Sequence, residues 1–333
     1  MNKPKIALFL LPLIFLLLVF SSAKAGLYKC TDANNRVFYQ DKACQELTAA
    51  KLSTQLSQLG EKSDNRYFLW KANGTKGVVY LLGSLHFGTP DMYPLPERIT
   101  DTFAAADALV VEANIQNQST GEAAQKLIDK GIYADGSTLE DHLKPATWQK
   151  LIGIAKNLGV SEETLRPQKP WLAALTLTGQ ALKQAGFSED LGVDQAFIKE
   201  AGSKKPILEM ESVDEQIRLF DEFSPQEQEQ MLLGSLQELA RGPEIFTNIA
   251  MAWKKGDADT IDLITRQSFD AGPVAEKIFK TLFTDRNIAM VNKFDELLAD
   301  GRTYFVVIGA GHLAGEQGIL KLLEAKGYKI SQL

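Results

Sequence analysis

Histidine is scarce in this chain, and its few copies are patterned. Only three occur in 333 residues. Two of them close matching stretches, Val79-Tyr80-Leu81-Leu82-Gly83-Ser84-Leu85-His86 and Tyr304-Phe305-Val306-Val307-Ile308-Gly309-Ala310-Gly311-His312. In each, an apolar run breaks at a glycine, Gly83 or Gly309, and a histidine follows three positions later. Two acids stand in similar places: Glu112 after Leu109-Val110-Val111, and Glu211 after Pro206-Ile207-Leu208-Glu209-Met210. If these runs are neighbouring strands of an open α/β sheet, their carboxyl ends form the usual ligand crevice and the four side chains converge. Two imidazoles with one or two carboxylates suit Zn²⁺, Mn²⁺, Co²⁺ or Fe²⁺. An ion held this way keeps a position for water, lowers the pKa of that water and polarises a carbonyl. A remaining carboxylate can act as general base.

Blander readings stand beside this one. A histidine after a strand is most often a hydrogen-bonded structural residue, and a strand-end carboxylate often caps the next helix. Arg286 could hold a substrate carboxylate or orient Glu112 or Glu211 through a bidentate pair. Equally, Arg286-Asn287 could lie at a surface helix start capped by Thr284 or Asp285. His142 follows Ser137-Thr138-Leu139-Glu140, a capping-box pattern, and is read as structural or exposed. The glycines are expected to let the chain turn as it leaves each strand, and Gly311 to allow close approach to the backbone. No His-Glu-x-x-His helix, Gly-x-Ser-x-Gly elbow, phosphate loop or dinucleotide fingerprint is present.

Around these residues, short apolar runs alternate with longer stretches of helical spacing. Strands are predicted at 68–71, 78–82, 109–112, 206–211 and 302–308, with a possible edge strand at 328–330. Helices are predicted between them, including 95–106, 123–130, 148–158, 171–185 and 193–201, one opened by Ser224-Pro225, and others continuing to about Leu298. The fold class implied is α/β, with a central mixed β-sheet flanked by helices and a large helical insertion.

The first 25 residues stand apart. Lys3 and Lys5 precede an apolar run, Ile6–Phe20, and Ala23-Lys24-Ala25 completes an Ala-x-Ala site before Gly26. This is the pattern of a secretory signal peptide, so the protein is expected to be periplasmic or secreted. No later run is long enough to span a bilayer. Without the leader the chain has 33 basic against 42 acidic residues, a net charge of −9, which argues against nucleic acid or an anionic membrane as partner. Cys30 and Cys44 are the only cysteines, and in an exported chain they read as a disulfide. They would tie a hairpin formed by Leu27–Thr31 and Val37–Gln40 across Asp32-Ala33-Asn34-Asn35. The organisation is therefore signal peptide 1–25, small disulfide-tied hairpin domain 26–48, linker 49–66 and main domain 67–333.

The hairpin segment resembles a small domain of unknown function found at the N-terminus of many bacterial exported proteins. From about Tyr67 onward the chain resembles the TraB/GumN family, which includes the animal Tiki proteins. The resemblance rests on ordered blocks: Leu82-Gly83-Ser84-Leu85-His86-Phe87-Gly88, with Tyr93-Pro94-Leu95-Pro96 after it; Val110-Val111-Glu112; Lys169-Pro170-Trp171; Leu191-Gly192-Val193-Asp194-Gln195; Glu211-Ser212-Val213-Asp214-Glu215-Gln216; Trp253-Lys254-Lys255-Gly256-Asp257; Arg286-Asn287; and Val307-Ile308-Gly309-Ala310-Gly311-His312-Leu313. Met210 stands where the family usually has Leu. The resemblance implies a fold similar to erythromycin-esterase and haem-uptake ChaN-like proteins. By analogy with Tiki members it implies a metal-dependent hydrolase, above all a peptidase, with Mn²⁺, Co²⁺ or Zn²⁺ as cofactor. His86, His312 and Glu112 would be the metal ligands, and Glu112, Glu211, Arg286 and Asn287 the catalytic residues. The substrate would be a peptide or small molecule. The alternative is a non-catalytic periplasmic binding protein using the same pocket for a peptide, haem or other small ligand. Oligomeric state is not legible.

Overall fold

The computed structural model describes residues 28–31, 37–40, 66–114, 120–267, 269 and 272–333, the first two stretches as backbone. The expected leader, the linker up to residue 65, Cys44 and the side chain of Cys30 lie outside the described residues. The expected hairpin is partly inside them: β1 (Tyr28–Thr31) pairs antiparallel with β2 (Val37–Gln40), Cys30 opposite Phe38.

A six-stranded mixed sheet organises the rest. Its strands are β3 (Leu69–Asn73), β4 (Val78–Ser84), β5 (Ala108–Val111), β6 (Ile207–Glu209), β7 (Thr303–Gly309) and β8 (Lys329–Gln332). They run in the order β6-β5-β7-β4-β3-β8. The first four are mutually parallel, and β3 and β8 complete the sheet by antiparallel pairing. β5 and β7 read as continuous apolar runs because both their faces are covered; every residue of β5 and all but the first of β7 are buried. β8 is the edge strand expected from Tyr328-Lys329-Ile330, and its side chains are half-buried or exposed.

Helices fill the crossovers. α1 (Glu97–Ala105) joins β4 to β5. Between β5 and β6 come α2 (Thr120–Gly131), α3 (Pro145–Asn157), α4 (Glu162–Leu165), α5 (Pro170–Gln184) and α6 (Val193–Ala201). Between β6 and β7 come α7 (Val213–Asp221), α8 (Pro225–Arg241), α9 (Glu244–Lys254), α10 (Ala258–Gln267), α11 (Pro273–Phe279) and α12 (Asp285–Ala299). α13 (Ala310–Leu313) and α14 (Ile319–Ala325) follow β7. The expected single insertion is thus two helical crossovers. α1 and α6 seat on the sheet through Phe103 and Phe197, whose rings meet Phe305 of β7 at 5.4 and 4.9 Å. A second apolar cluster, with Trp171, Leu175, Phe220 and Phe283, joins α5, α7 and the approach to α12. A third, with Leu151, Leu177 and Leu236, joins α3, α5 and α8. Among the described residues no helix is long and apolar enough to cross a membrane.

Two local expectations need correction. The box before His142 closes on Asp141, not Glu140: Thr138 is the N-cap, its backbone N–H donates to Asp141 Oδ2 at 2.8 Å, and only a 3₁₀ turn, Leu139–His142, follows. The exposed His142 ring stacks on Tyr133 at 4.2 Å, a structural role. Gly83 does not turn the chain out of its strand. It lies within β4, opposite Ile308, and its backbone avoids the positive-φ region. What requires glycine is space, because a Cβ there would lie 2.3 Å from the Phe68 ring and 3.1 Å from Ala310 Cα. Phe68 is only 1% exposed and has nowhere to retreat. Gly83→Ala is therefore expected to cost about 1–3 kcal/mol by overpacking, seen as a lower urea midpoint at unchanged slope.

Candidate functional site

The four parallel strands deliver their carboxyl ends side by side, and each contributes one of the singled-out residues. Val111 is in register with Val307 and with Glu209, and Ser84 with Gly309. Glu211 therefore follows β6, Glu112 follows β5, His312 follows β7 and His86 follows β4, in the spatial order of the sheet. His312 sits on α13, a short helix directly after β7 that the sequence reading did not foresee.

Arg286 ties the acidic half together. Its Nη2 donates to Glu112 Oε1 at 2.5 Å and to Glu211 Oε2 at 2.6 Å, its Nε to Glu211 Oε1 at 2.9 Å, and its Nη1 to the Leu282 carbonyl at 3.0 Å. The residue is 4% exposed. Its placement comes from a π-helical turn, Lys280–Thr284, which links α11 to α12; such widened turns often occur at functional sites. Thr284, the residue before α12, is itself helical and makes no side-chain cap bond, and Arg286 and Asn287 are buried, so the surface-cap alternative is excluded. Glu112 is held on every side: Gln216 Nε2 donates to Oε1 at 2.9 Å, and the Gly309 backbone N–H to Oε2 at 3.0 Å. Glu211 is locked to the same strand end, its N–H donating to the Glu112 carbonyl at 2.8 Å.

The histidines each have a side-chain partner at Nδ1. His86 Nδ1 lies 3.1 Å from Asp194 Oδ2. His312 Nδ1 bonds to Asn287 Oδ1, while Asn287 Nδ2 donates to the Gln317 carbonyl at 2.7 Å. His312 Nε2 lies 3.9 Å from Glu112 Oε1, and the Phe283 ring covers the imidazole at 5.4 Å. Asp194 begins α6, whose Val193 N–H donates to the Leu85 carbonyl at 2.9 Å. Tyr93 braces the turn before it, its hydroxyl donating to the Leu191 carbonyl at 2.9 Å.

Burial and charge separate the groups electrostatically. Burial would raise the Glu112 carboxyl, but Arg286, and less strongly the two histidines, hold it well below the usual carboxylate range. Burial and the Arg286 charge pull His312 well below the ordinary imidazole value. Burial also pulls on His86, but the Asp194 carboxylate outweighs it and the net shift is upward. Glu189, in the turn before Asp194, is pushed up to about 7 by burial and by the charges of Asp194 and Asp190.

The singled-out residues His86, Glu112, Glu211, Arg286, Asn287 and His312 are thus brought to one end of the sheet. Asp194 and Gln216 were quoted within motif blocks but given no role; an acid or amide in the first turn of a helix is too common a signal to stand out. The two imidazoles fit the nitrogen ligands of a divalent ion, since a metal-binding histidine usually gives its other ring N–H to an oxygen. The oxygen ligand is less ready. Among the described residues no group of three or more His, Cys, Asp or Glu is arranged to hold a metal, because Glu112 faces Arg286, Gln216 and the Gly309 N–H.

The family follows from comparison of the whole main domain. The profile of the TraB/PrgY/gumN family matches residues 68–332. The chain belongs to the TraB/PrgY/gumN family. Residues 14–57 match a domain of unknown function (DUF4124). Similar proteins include the uncharacterized protein YbaP of Escherichia coli, 26% identical over 73% of this chain and 87% of that one. An uncharacterized protein of Treponema pallidum is 20% identical over 79% and 82%. A protein of Amphimedon queenslandica named as a metalloprotease TIKI homolog is 22% identical over 80% of this chain and 61% of its own length. No solved structure matches.

Two expected outcomes test the electrostatics of this family member. Arg286→Met leaves the buried Glu112 and the part-buried Glu211 without their cation and is expected to cost about 3–5 kcal/mol in denaturant unfolding; adding Glu112→Gln should restore part of the loss. Glu189 holds its proton in the folded state between its ordinary value of 4.5 and about 7. Its contribution to stability therefore falls as pH rises through that window. Glu189→Gln should remove this slope and raise the unfolding midpoint above pH 7 relative to wild type.

Proposed function

We propose that the protein is a metal-dependent hydrolase acting on peptide bonds outside the cytoplasm. The observation that carries the reading is the pair of imidazoles at neighbouring strand ends, His312 buried and His86 part-buried, each with Nδ1 held by a side-chain oxygen. Similarity to a protein named a metalloprotease supports it. His86 and His312 would be the nitrogen ligands of a divalent ion, Mn²⁺, Co²⁺ or Zn²⁺. When bound, such an ion supplies a Lewis acid and a more acidic water. Glu112 is the carboxylate nearest to His312 and would complete the ligand set by giving up part of its contact with Arg286.

The remaining residues work on these. Arg286 spends its Nε, Nη1 and Nη2 inside the protein and neutralises Glu112 and Glu211, which suits a holding task better than a clamp on substrate. Glu211 would keep Arg286 in place and become the alternative proton acceptor. Asn287 would act through His312. The acids outnumber the bases here, Glu112, Glu211 and Asp194 against Arg286, so the site favours an added cation.

The N-terminal organisation belongs to the same reading. A leader over residues 1–25, a hairpin domain over 26–48 tied by Cys30–Cys44 and a linker over 49–66 would deliver the catalytic domain 67–333 to the periplasm or the medium. The overall negative charge disfavours nucleic acid as substrate.

One observation favours a second reading. With Glu112 committed to Arg286, the pocket could bind a peptide or other small ligand without turning it over. Metal analysis and peptide profiling separate the two. The hydrolase should bind Mn²⁺, Co²⁺ or Zn²⁺ at micromolar concentration and cleave members of a peptide library when metal-loaded. His86→Ala and His312→Ala should each lose the metal and the cleavage. No metal binding by the wild type would overturn the metal-dependent reading, and peptide binding without cleavage would favour the binding protein.

A further inference from the structure

The Nδ1 contacts determine more than ring orientation. Asn287 faces the Gln317 carbonyl and the His312 ring, and the first of these has fixed chemistry. The Gln317 carbonyl only accepts, so it must face the amide Nδ2, at 2.7 Å. The atom facing His312 is then Oδ1, which also only accepts. His312 Nδ1 must therefore carry a hydrogen. The ring is 0% exposed. A neutral imidazole with its one hydrogen on Nδ1 has its lone pair on Nε2.

The same logic applies to His86 through a different partner. The Asp194 carboxylate is acceptor-only, so the His86 nitrogen 3.1 Å from it carries a hydrogen. Whenever that ring is neutral, its lone pair is also on Nε2. Behind each contact stands a backbone device. A Cβ on Gly192 would fall 2.5 Å from the His86 carbonyl and 3.0 Å from Asp194 Oδ1, so a residue with no side chain lets the start of α6 reach the histidine loop. On the other side Thr284 Oγ1 donates to Gln317 Oε1 at 2.8 Å, clipping the loop after α13 to the turn that presents Arg286 and Asn287.

We infer that Asp194 and Asn287 are positioning residues that lock His86 and His312 in the Nδ1–H tautomer, with Gly192 and Gln317 seating them, so that each ring offers an Nε2 lone pair to the site. The tautomers follow from the hydrogen-bond chemistry alone. Only their consequence for metal affinity rests on the proposed role of the two histidines as ligands. Neither Asp194 nor Asn287 needs to touch substrate or metal.

Imidazole nitrogen NMR reads this directly. The metal-free protein, labelled with ¹⁵N in its histidine rings, is examined at alkaline pH, and its three histidines are assigned by single His→Gln variants. The expected result is Nδ1–H with unprotonated Nε2 at both His86 and His312. Asp194→Leu should release His86 to the Nε2–H form while leaving His312 unchanged. Asn287→Ala should release His312. Calorimetric titration with Mn²⁺ or Zn²⁺ should show roughly 10–100-fold weaker binding for Asp194→Leu and Asn287→Ala. An Nε2–H signal at either ring in the wild type overturns the inference, as does an unchanged His86 tautomer in Asp194→Leu. The wild-type spectrum decides the tautomers even if a variant fails to fold. If the wild type shows both Nδ1–H tautomers but binds no metal, the metal-dependent function fails and the tautomer lock stands.

Discussion

Three parts of the chain that are far apart in sequence meet at the Arg286 guanidinium. It holds the carboxylate after β5, the carboxylate after β6 and the Leu282 carbonyl of the π-helical turn that brings it there. Burying Arg286 and Glu112 fully and Glu211 in part costs desolvation free energy that mutual attraction returns only when geometry and the remaining hydrogen bonds are good. Here Gln216 and the Gly309 N–H supply the remaining bonds on Glu112. The cluster is therefore better understood as a device for arrangement than as a source of stability. It fixes the ends of β5 and β6 relative to α12, and through Gly309 it reaches the segment carrying the second histidine.

Four adjacent parallel strands make that arrangement possible. A parallel sheet needs long crossovers, and in this protein they carry almost all the helices. α6 returns Asp194 to the first histidine, and α12 returns Arg286 and Asn287 to the acids and the second histidine. The helical layers are thus also the route by which each partner of the site arrives. The two histidines, alike in sequence, receive unlike partners: an anion for His86 and a neutral amide for His312. Their basicities accordingly move in opposite directions, as expected when one imidazole bonds to a carboxylate, while at the other burial and a nearby guanidinium outweigh the attraction of Glu112.

The local rules worked where the chemistry is local. Continuous apolar runs announced β5 and β7, the Ser224-Pro225 start of α8 has its capping box, and Val193–Ala201 is a helix over the predicted span. They failed where a neighbour decides. Gly83 answers to Phe68, which is near only because β3 pairs with β4, so its role could not be read from its own stretch. The cap before His142 slipped by one residue because Ser137 and Thr138 offer the same chemistry, and only the backbone path selects Thr138.

The sequence by itself determined that histidines and carboxylates stand at strand ends, that the domain is α/β with long helical stretches between its strands, and which family the main domain belongs to. Those properties reside in the type and spacing of nearby residues. Tertiary structure alone decided the strand order β6-β5-β7-β4, which sets the four ends next to one another, and the partner each side chain receives. It turned Arg286 from a possible surface residue into a buried bridge, and it gave Asp194 and Asn287 to the two rings. Hydrogen bonds and ion pairs act over about 3 Å, whereas these partners are separated in sequence by 25 residues for Asn287 and His312, 108 for His86 and Asp194 and 174 for Glu112 and Arg286. Only the folded sheet and its crossovers close those separations.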